Sequence, residues 1–331
     1  MTLNSAVSGA LQTLTALLRR RPGISCLLML ALLIPAALLL TLVVASISGR
    51  IGFPMAFDWL EGNQIYHAYR LLHGQDIYRL ETSGFLPHPY PPAHILLVAA
   101  SGALFGLDYA SARAVSVAAY VIAALVLSHQ VWSHWPGRRG RALLALVAVG
   151  YLAGTYGLVR GWYDIARIDS LALVFVILAA APLAAEKTRW RDIVISAALA
   201  TLAIYTKQTN VLFAAGLCLL VMRRDPRKGA ALALIMGAMC ASALLLLEHL
   251  TRGAFLTWIF NTRHHSISLP RLFEGAWEVF CGAPFVVLVP LLWGRGPGGR
   301  RKLSARAALW LGLLLLAIPT GLIPFSKRGG Y

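Results

Sequence analysis

The sequence predicts an all-α, polytopic integral membrane protein, with about nine spanning helices and further helices lying along the membrane in its first long loop. Three observations carry this. Of the residues, 58% are hydrophobic and only 13% are charged, whereas a soluble domain carries about 25% charged residues. The apolar residues run in unbroken blocks that are apolar all round, where a soluble core would show stripes at helical spacing. The basic residues stand in short clusters between those blocks, the pattern of cytoplasmic loops.

The first block, 24–47, follows an Arg-rich start at Arg19-Arg20-Arg21. It ends near Val44-Ala45-Ser46, which resembles a signal cleavage site. The run is longer than the roughly 7 to 15 apolar residues of a secretory signal, so it reads as a retained anchor. Residues 1–23 are then a cytoplasmic N-terminus and 24–331 a single transmembrane domain. Blocks at 110–134, 142–159, 170–185, 192–206, 209–222, 229–248, 276–293 and 307–324 supply the remaining spans. Several are short against the ~20 residues that crossing needs.

A tenth block, Ala93 to Leu107, is assigned to the outer interface. If it spanned, the Arg-rich linkers 223–228 and 295–306 would fall on alternating sides. Lying flat, it leaves Arg138 to Arg141, Lys187 to Arg191 and both linkers inside, as the charge rule requires. The N-terminus is then cytoplasmic, and the expected location is a bacterial inner membrane. Most of the 30 Lys and Arg but few of the 13 Asp and Glu fall on the cytoplasmic side.

The outer side carries both signs, in loops 48–109, 160–169 and 249–275 and in the turn at Lys207. Inner cations need only set orientation, so the mixed outer set is where chemistry is expected. The net charge of +17 is a topological signal, and nucleic acid is not an expected partner. Cys26, Cys218, Cys240 and Cys281 lie in apolar blocks without a C-x-x-C pair, which argues against a disulfide framework or a zinc site.

In the first outer loop, Phe57-Asp58-Trp59-Leu60-Glu61-Gly62 opens a helix-like stretch that runs to His73 and stops at Gly74. Asp58 and Glu61 are spaced i, i+3. On a helix they share a face and suit a base, a metal site or an acceptor clamp, or simply a solvated helix start with favourable dipole interactions. Phe85-Leu86-Pro87-His88-Pro89-Tyr90-Pro91-Pro92 is stiffened by its prolines, which puts His88 and Tyr90 near the membrane surface as anchors or substrate contacts.

The second loop reads Arg160-Gly161-Trp162-Tyr163-Asp164-Ile165-Ala166-Arg167-Ile168-Asp169-Ser170. Asp169 suits a helix N-cap. Arg167 near lipid costs a few kcal/mol unless a carboxylate or phosphate answers it. Lys207, in Tyr205-Thr206-Lys207-Gln208, either snorkels or binds phosphate. The adjacent His264 and His265 are two metal ligands at most, too few for a site.

Together these segments resemble the GT-C membrane glycosyltransferases, in particular the group related to dolichyl-phosphate-mannose protein mannosyltransferases and the aminoarabinose transferase. The resemblance covers residues 25 to 215 and lies in order and spacing. Asp58-Trp59-Leu60-Glu61-Gly62 is similar to the acidic motif after the first span. Gly74 with Ile77-Tyr78, then Tyr90-Pro91-Pro92, Leu104-Phe105-Gly106 and Ala112-Arg113 follow as that family's first outer loop does. Ala166-Arg167-Ile168-Asp169 resembles its second-loop motif, and Tyr205-Thr206-Lys207-Gln208 a further feature.

The resemblance implies a glycosyltransferase with a sugar donor linked to a polyprenyl phosphate, and a lipid, glycan or protein acceptor, reacting on the outer face. It implies Asp58 as general base, Glu61 as its partner and Asp169 as the second-loop acid. Arg167 and Lys207 would neutralise the donor phosphate, and His88, Tyr90, Asp164 and Gln208 are candidate substrate contacts. A divalent metal is used by some members and is left open here.

Two other readings stand beside this one. A transporter or lipid flippase would place ionisable residues near helix midpoints and broken helices at matching positions of two halves. Pro182, Pro290 and Pro319 show no such relation. An inactive, truncated remnant is the third, because Phe325-Ser326-Lys327-Arg328-Gly329-Gly330-Tyr331 resembles the start of an outer-loop segment that continues in relatives.

Overall fold

A computed structural model describes residues 22–79, 86–134, 138–185, 187–261, 268–282, 309 and 312. Among these residues every regular element is a helix. In chain order the longer ones are α1 (Pro22–Arg50), α2 (Trp59–Leu72), α3 (Ala93–Phe105), α4 (Tyr109–His134), α5 (Arg138–Gly154), α6 (Ile168–Ala180), α7 (Trp190–Thr206), α8 (Val211–Met222), α9 (Pro226–Leu250) and α10 (Leu269–Gly282), with a short α turn, Ala254–Leu256, and a π turn, Thr257–Asn261, between the last two. Single 3-10 turns, Pro182–Ala184 and Gln208–Asn210, follow α6 and precede α8.

Met29–Arg50, Tyr109–Ser133 and Pro226–Leu250 are long and apolar enough to cross a membrane by length and composition. The segments 93–105, 140–154, 168–184 and 208–222 are shorter apolar helices. Exposed leucines along α1 and α9, such as Leu38, Leu42, Leu234 and Leu245, are the lipid-facing surface that such helices require. The chain is thus an all-α membrane protein. The expected span 307–324 apart from residues 309 and 312, the part of 276–293 beyond residue 282, the residues 1–21, and His264 and His265 in the loop 249–275 lie outside the described residues.

Helices α6, α7, α8 and α9 pack as one group, with α4 against α6 and α1 against α5. Small residues let the backbones approach. In the first group Ala180, Ala197 and Ala200 are buried beside Leu183, Ile193 and Leu232. Between α1 and α5, a Cβ on Gly150 would collide with the backbone of Ala36.

The expected span 142–159 is corrected, because α5 ends at Gly154. Residues 155–163 leave the helix as turns whose polar groups are answered locally: the Thr155 hydroxyl donates to Leu152 O at 2.6 Å and lies 3.0 Å from the Tyr163 hydroxyl. Helix α3 is wedged between α2 and α4, burying His94, Ile95, Val98, Ala99 and Gly102 and exposing Leu104 and Phe105. Its 13 residues reach about 20 Å at 1.5 Å each, short of a ~30 Å hydrocarbon core. Gly106, with φ +89°, closes it in a conformation that L side chains rarely adopt and lets α4 begin at once.

Candidate functional site

Asp58 stands at the junction of loop and helix. Its backbone is extended (φ −144°, ψ 143°) and its Oδ1 accepts from the Leu60 N–H at 2.9 Å, so it caps α2. The other oxygen, Oδ2, accepts from Arg167 Nη1 at 3.0 Å. Arg167 Nε donates to Asp169 Oδ2 at 3.1 Å, and Lys207 Nζ donates to Asp169 Oδ1 at 2.8 Å. The order is carboxylate, guanidinium, carboxylate, ammonium. Three segments far apart in sequence therefore converge, and their four charges sum to zero.

The neighbours fix the chain of charges in place. The Arg167 guanidinium lies over the Trp162 ring, 3.7 Å from its centroid, and its backbone carbonyl accepts from Ser116 Oγ on α4 at 3.0 Å. Arg167 is buried, whereas Asp58, Asp169 and Lys207 are each partly open. Burial raises the Asp169 carboxyl, but Lys207 and Arg167 outweigh it and hold it at about 2. The same Asp169 charge lifts the Lys207 ammonium above its ordinary value against the opposing effect of burial. Both groups stay ionised across the neutral range.

The N-cap reading of Asp169 is corrected. Arg167 is extended (φ −133°, ψ 156°) and is itself the cap residue of α6, so Asp169 falls in the first turn. Its oxygens face two cations, a stronger use of a carboxylate than one backbone amide.

Glu61 and Asp58 do not share a helix face, because Asp58 precedes the helix. Glu61 turns inward and is fully buried. Its Oε1 accepts from Arg113 Nε at 2.8 Å and from the Ala166 N–H at 2.9 Å. Its Oε2 accepts from Arg113 Nη2 at 2.9 Å and the Phe57 N–H at 2.7 Å. Burial raises the Glu61 carboxyl, but these donors outweigh it and the group lies below its ordinary value.

Arg113 spends its remaining donors on the carbonyls of Arg50, Phe53 and Met55, each at 2.7 Å. One buried pair thereby holds the segment that delivers Asp58 and, through Ala166, the residue next to Arg167. Arg113 was visible in the sequence as part of Ala112-Arg113, but nothing there marked it as the tie between the two loops. A lone arginine four residues into an apolar block, with a buried acid elsewhere to answer it, was the available signal.

The other candidate contacts divide. Tyr90 is buried with Leu60 and Ile168, the residue between Arg167 and Asp169, which places it beside the charged chain. Its carbonyl accepts from the Tyr78 hydroxyl at 2.8 Å. His88 is buried among the rings of His67, Tyr78 and Tyr90. Gln208 follows Lys207, with a buried Oε1 that has no hydrogen-bond partner among the described residues. Asp164 belongs elsewhere: its Oδ1 lies 3.2 Å from Arg50 and accepts from Tyr156 Oη at 2.9 Å. Burial pushes its carboxyl up despite Arg50.

Among the described residues no three His, Cys, Asp or Glu side chains gather as a metal cage. Asp58 and Asp169 are both turned onto Arg167.

Comparison with known proteins adds the ancestry. The pattern of glycosyltransferase family 87 matches residues 88–323. No curated protein matches the chain. Among solved structures, apo ArnT from Cupriavidus metallidurans is similar, with 18% identity and a TM-score of 0.47. The alignment covers 86% of this chain, which spans 59% of the length of that one.

Proposed function

Since this chain belongs to glycosyltransferase family 87, we propose that it moves a sugar from a polyprenyl-phosphate-linked donor to an acceptor hydroxyl on the outer face of the membrane. The observation that carries the reading is the joining of Asp58 to Asp169 through Arg167, with Lys207 at the far end. A base, and cations for a phosphate, are thus within one side chain of each other at the ends of apolar helices.

The chemistry follows from those groups. Asp58 takes the proton of the acceptor hydroxyl as that oxygen attacks the anomeric carbon. The bond from that carbon to the phosphate oxygen breaks, and polyprenyl phosphate leaves with the electron pair. One displacement inverts the anomeric configuration. Arg167 and Lys207 stabilise the negative charge that develops on the phosphate. A phosphate that recruits Arg167 also loosens its hold on Asp58 Oδ2, so donor binding readies the base.

Asp169 keeps the two cations in register until the donor arrives. Glu61 is a positioning residue, acting through Arg113 and Ala166 on the segments that carry Asp58 and Arg167. Tyr90 and Gln208 line the Lys207 side, and His88 supports Tyr90.

The test is transfer of labelled sugar by membranes containing the protein. Asp58→Asn should abolish transfer while the protein accumulates normally, because asparagine caps a helix as well as aspartate does. Unchanged turnover in that variant removes Asp58 from the mechanism.

A further inference from the structure

One part of the site has no role in the mechanism above. His94, in the first turn of α3, is fully buried, and Gln64, on the inner face of α2, is almost so. Their side chains meet, with His94 Nδ1 3.2 Å from Gln64 Oε1. An amide oxygen only accepts, so Nδ1 carries the hydrogen. Burial, against a smaller opposing effect of Asp169, lowers the His94 ring to about 4, which keeps it neutral at physiological pH. Nε2 of His94 is then a bare acceptor, and the Gln64 amide nitrogen is a donor. Neither has a hydrogen-bond partner among the described residues.

Two orphaned polar atoms on one bonded pair are costly in a fold unless something answers them. Their place in the fold says what does. The Asp169 carboxylate is near enough to act on the His94 ring. Helix α3 packs on α7, the helix that Lys207 ends, and Ile95, next to His94, lies in one packed cluster with Ala166, next to Arg167, and with Tyr205, two residues before Lys207. The pair therefore stands at the Asp169 and Lys207 end of the charged chain, where the donor phosphate would be held. The group covalently attached to that phosphate is the sugar. A neutral acceptor and a neutral donor side by side match two neighbouring hydroxyls, each of which both gives and takes a hydrogen bond, and do not match a charged group.

We infer that His94 and Gln64 read the sugar of the lipid-linked donor, His94 Nε2 accepting from one ring hydroxyl and the Gln64 amide donating to its neighbour. The inference rests on the donor reading above and specifies which residues give it sugar selectivity. Both are specificity residues; neither moves the proton.

The experiment measures binding, by tryptophan fluorescence, of bare farnesyl phosphate and of farnesyl phosphates carrying mannose, glucose, galactose or arabinose to the detergent-purified full chain. The wild type should bind at least one of the sugar conjugates about tenfold more tightly than bare farnesyl phosphate. His94→Leu combined with Gln64→Leu removes both members of the pair, so no half-pair is left buried to unfold the protein. That variant should keep its affinity for bare farnesyl phosphate and lose the sugar increment. Removing one hydroxyl from the preferred sugar should weaken wild-type binding about tenfold and leave the double variant's binding unchanged.

A double variant that still prefers the same sugar overturns the inference, as does a wild type that binds all the probes alike. Failure of every probe to bind, bare farnesyl phosphate included, overturns the donor reading itself and this inference with it.

Discussion

Glu61→Gln tests the buried tie between the loops that carry Asp58 and Arg167. Glutamine has the shape of glutamate, so no cavity forms and the effect is electrostatic. Four N–H groups, from Arg113 Nε, Arg113 Nη2, Ala166 and Phe57, point at the two carboxylate oxygens at 2.7 to 2.9 Å. Whichever way the amide is turned, its nitrogen faces two of those donors and no longer accepts. The Arg113 guanidinium, with no exposed surface, is left without a counter-charge.

Removing one partner of a buried ion pair costs about 3–5 kcal/mol. Equilibrium unfolding of the purified protein, followed by tryptophan fluorescence, should show a loss of that size. A double-mutant cycle with Arg113→Met should give a large coupling energy. The double variant should not recover wild-type stability, because the carbonyls of Arg50, Phe53 and Met55 lose their donors at about 1–3 kcal/mol for each one that stays buried. A Glu61→Gln protein within ~1 kcal/mol of wild type would refute the reasoning, since the pair could then not be what holds Asp58 in place.

Asp58→Ala should unfold about 1 kcal/mol more easily than Asp58→Asn, because alanine loses the cap to Leu60 that asparagine keeps; equal stabilities would show that the cap is idle. Asp169, held at about 2 by Lys207 and Arg167, contributes stability that is present above its ordinary pKa of about 3.9 and is lost as pH falls through the folded value. In Lys207→Met the folded value should rise, so a stability profile between pH 2 and 5 should fall at higher pH than in wild type; superimposable profiles would contradict the ion pair. Gly150→Val puts side-chain atoms where the Ala36 backbone lies and should cost about 1–3 kcal/mol in the same unfolding assay. A neutral result would mean that α1 and α5 are not tightly apposed.

The sequence by itself determined the class of fold and singled out candidate residues. Blocks that are apolar all round, in a chain so poor in charge, are membrane helices, and the helices α2, α3, α4 and α7 fall within a few residues of where the apolar blocks and helix stops place them. The order of Asp58, Arg167, Asp169 and Lys207 along the chain was enough to mark them. What they do to one another was settled by the tertiary structure. Spacing i, i+3 put Asp58 and Glu61 on one helix face, suited to cooperate or simply to start a solvated helix, yet one caps the helix in extended backbone and the other faces a buried arginine from α4.

Likewise, Asp169 read as a cap, whereas the fold turns its two oxygens onto Arg167 and onto Lys207, the latter 38 residues away at the end of another helix. Local propensity acts over a few residues, so it fixes where helices start and stop. The charge on a carboxylate is answered by whatever the packing of distant helices brings within about 3 Å, and a residue's nearest sequence neighbours do not encode that.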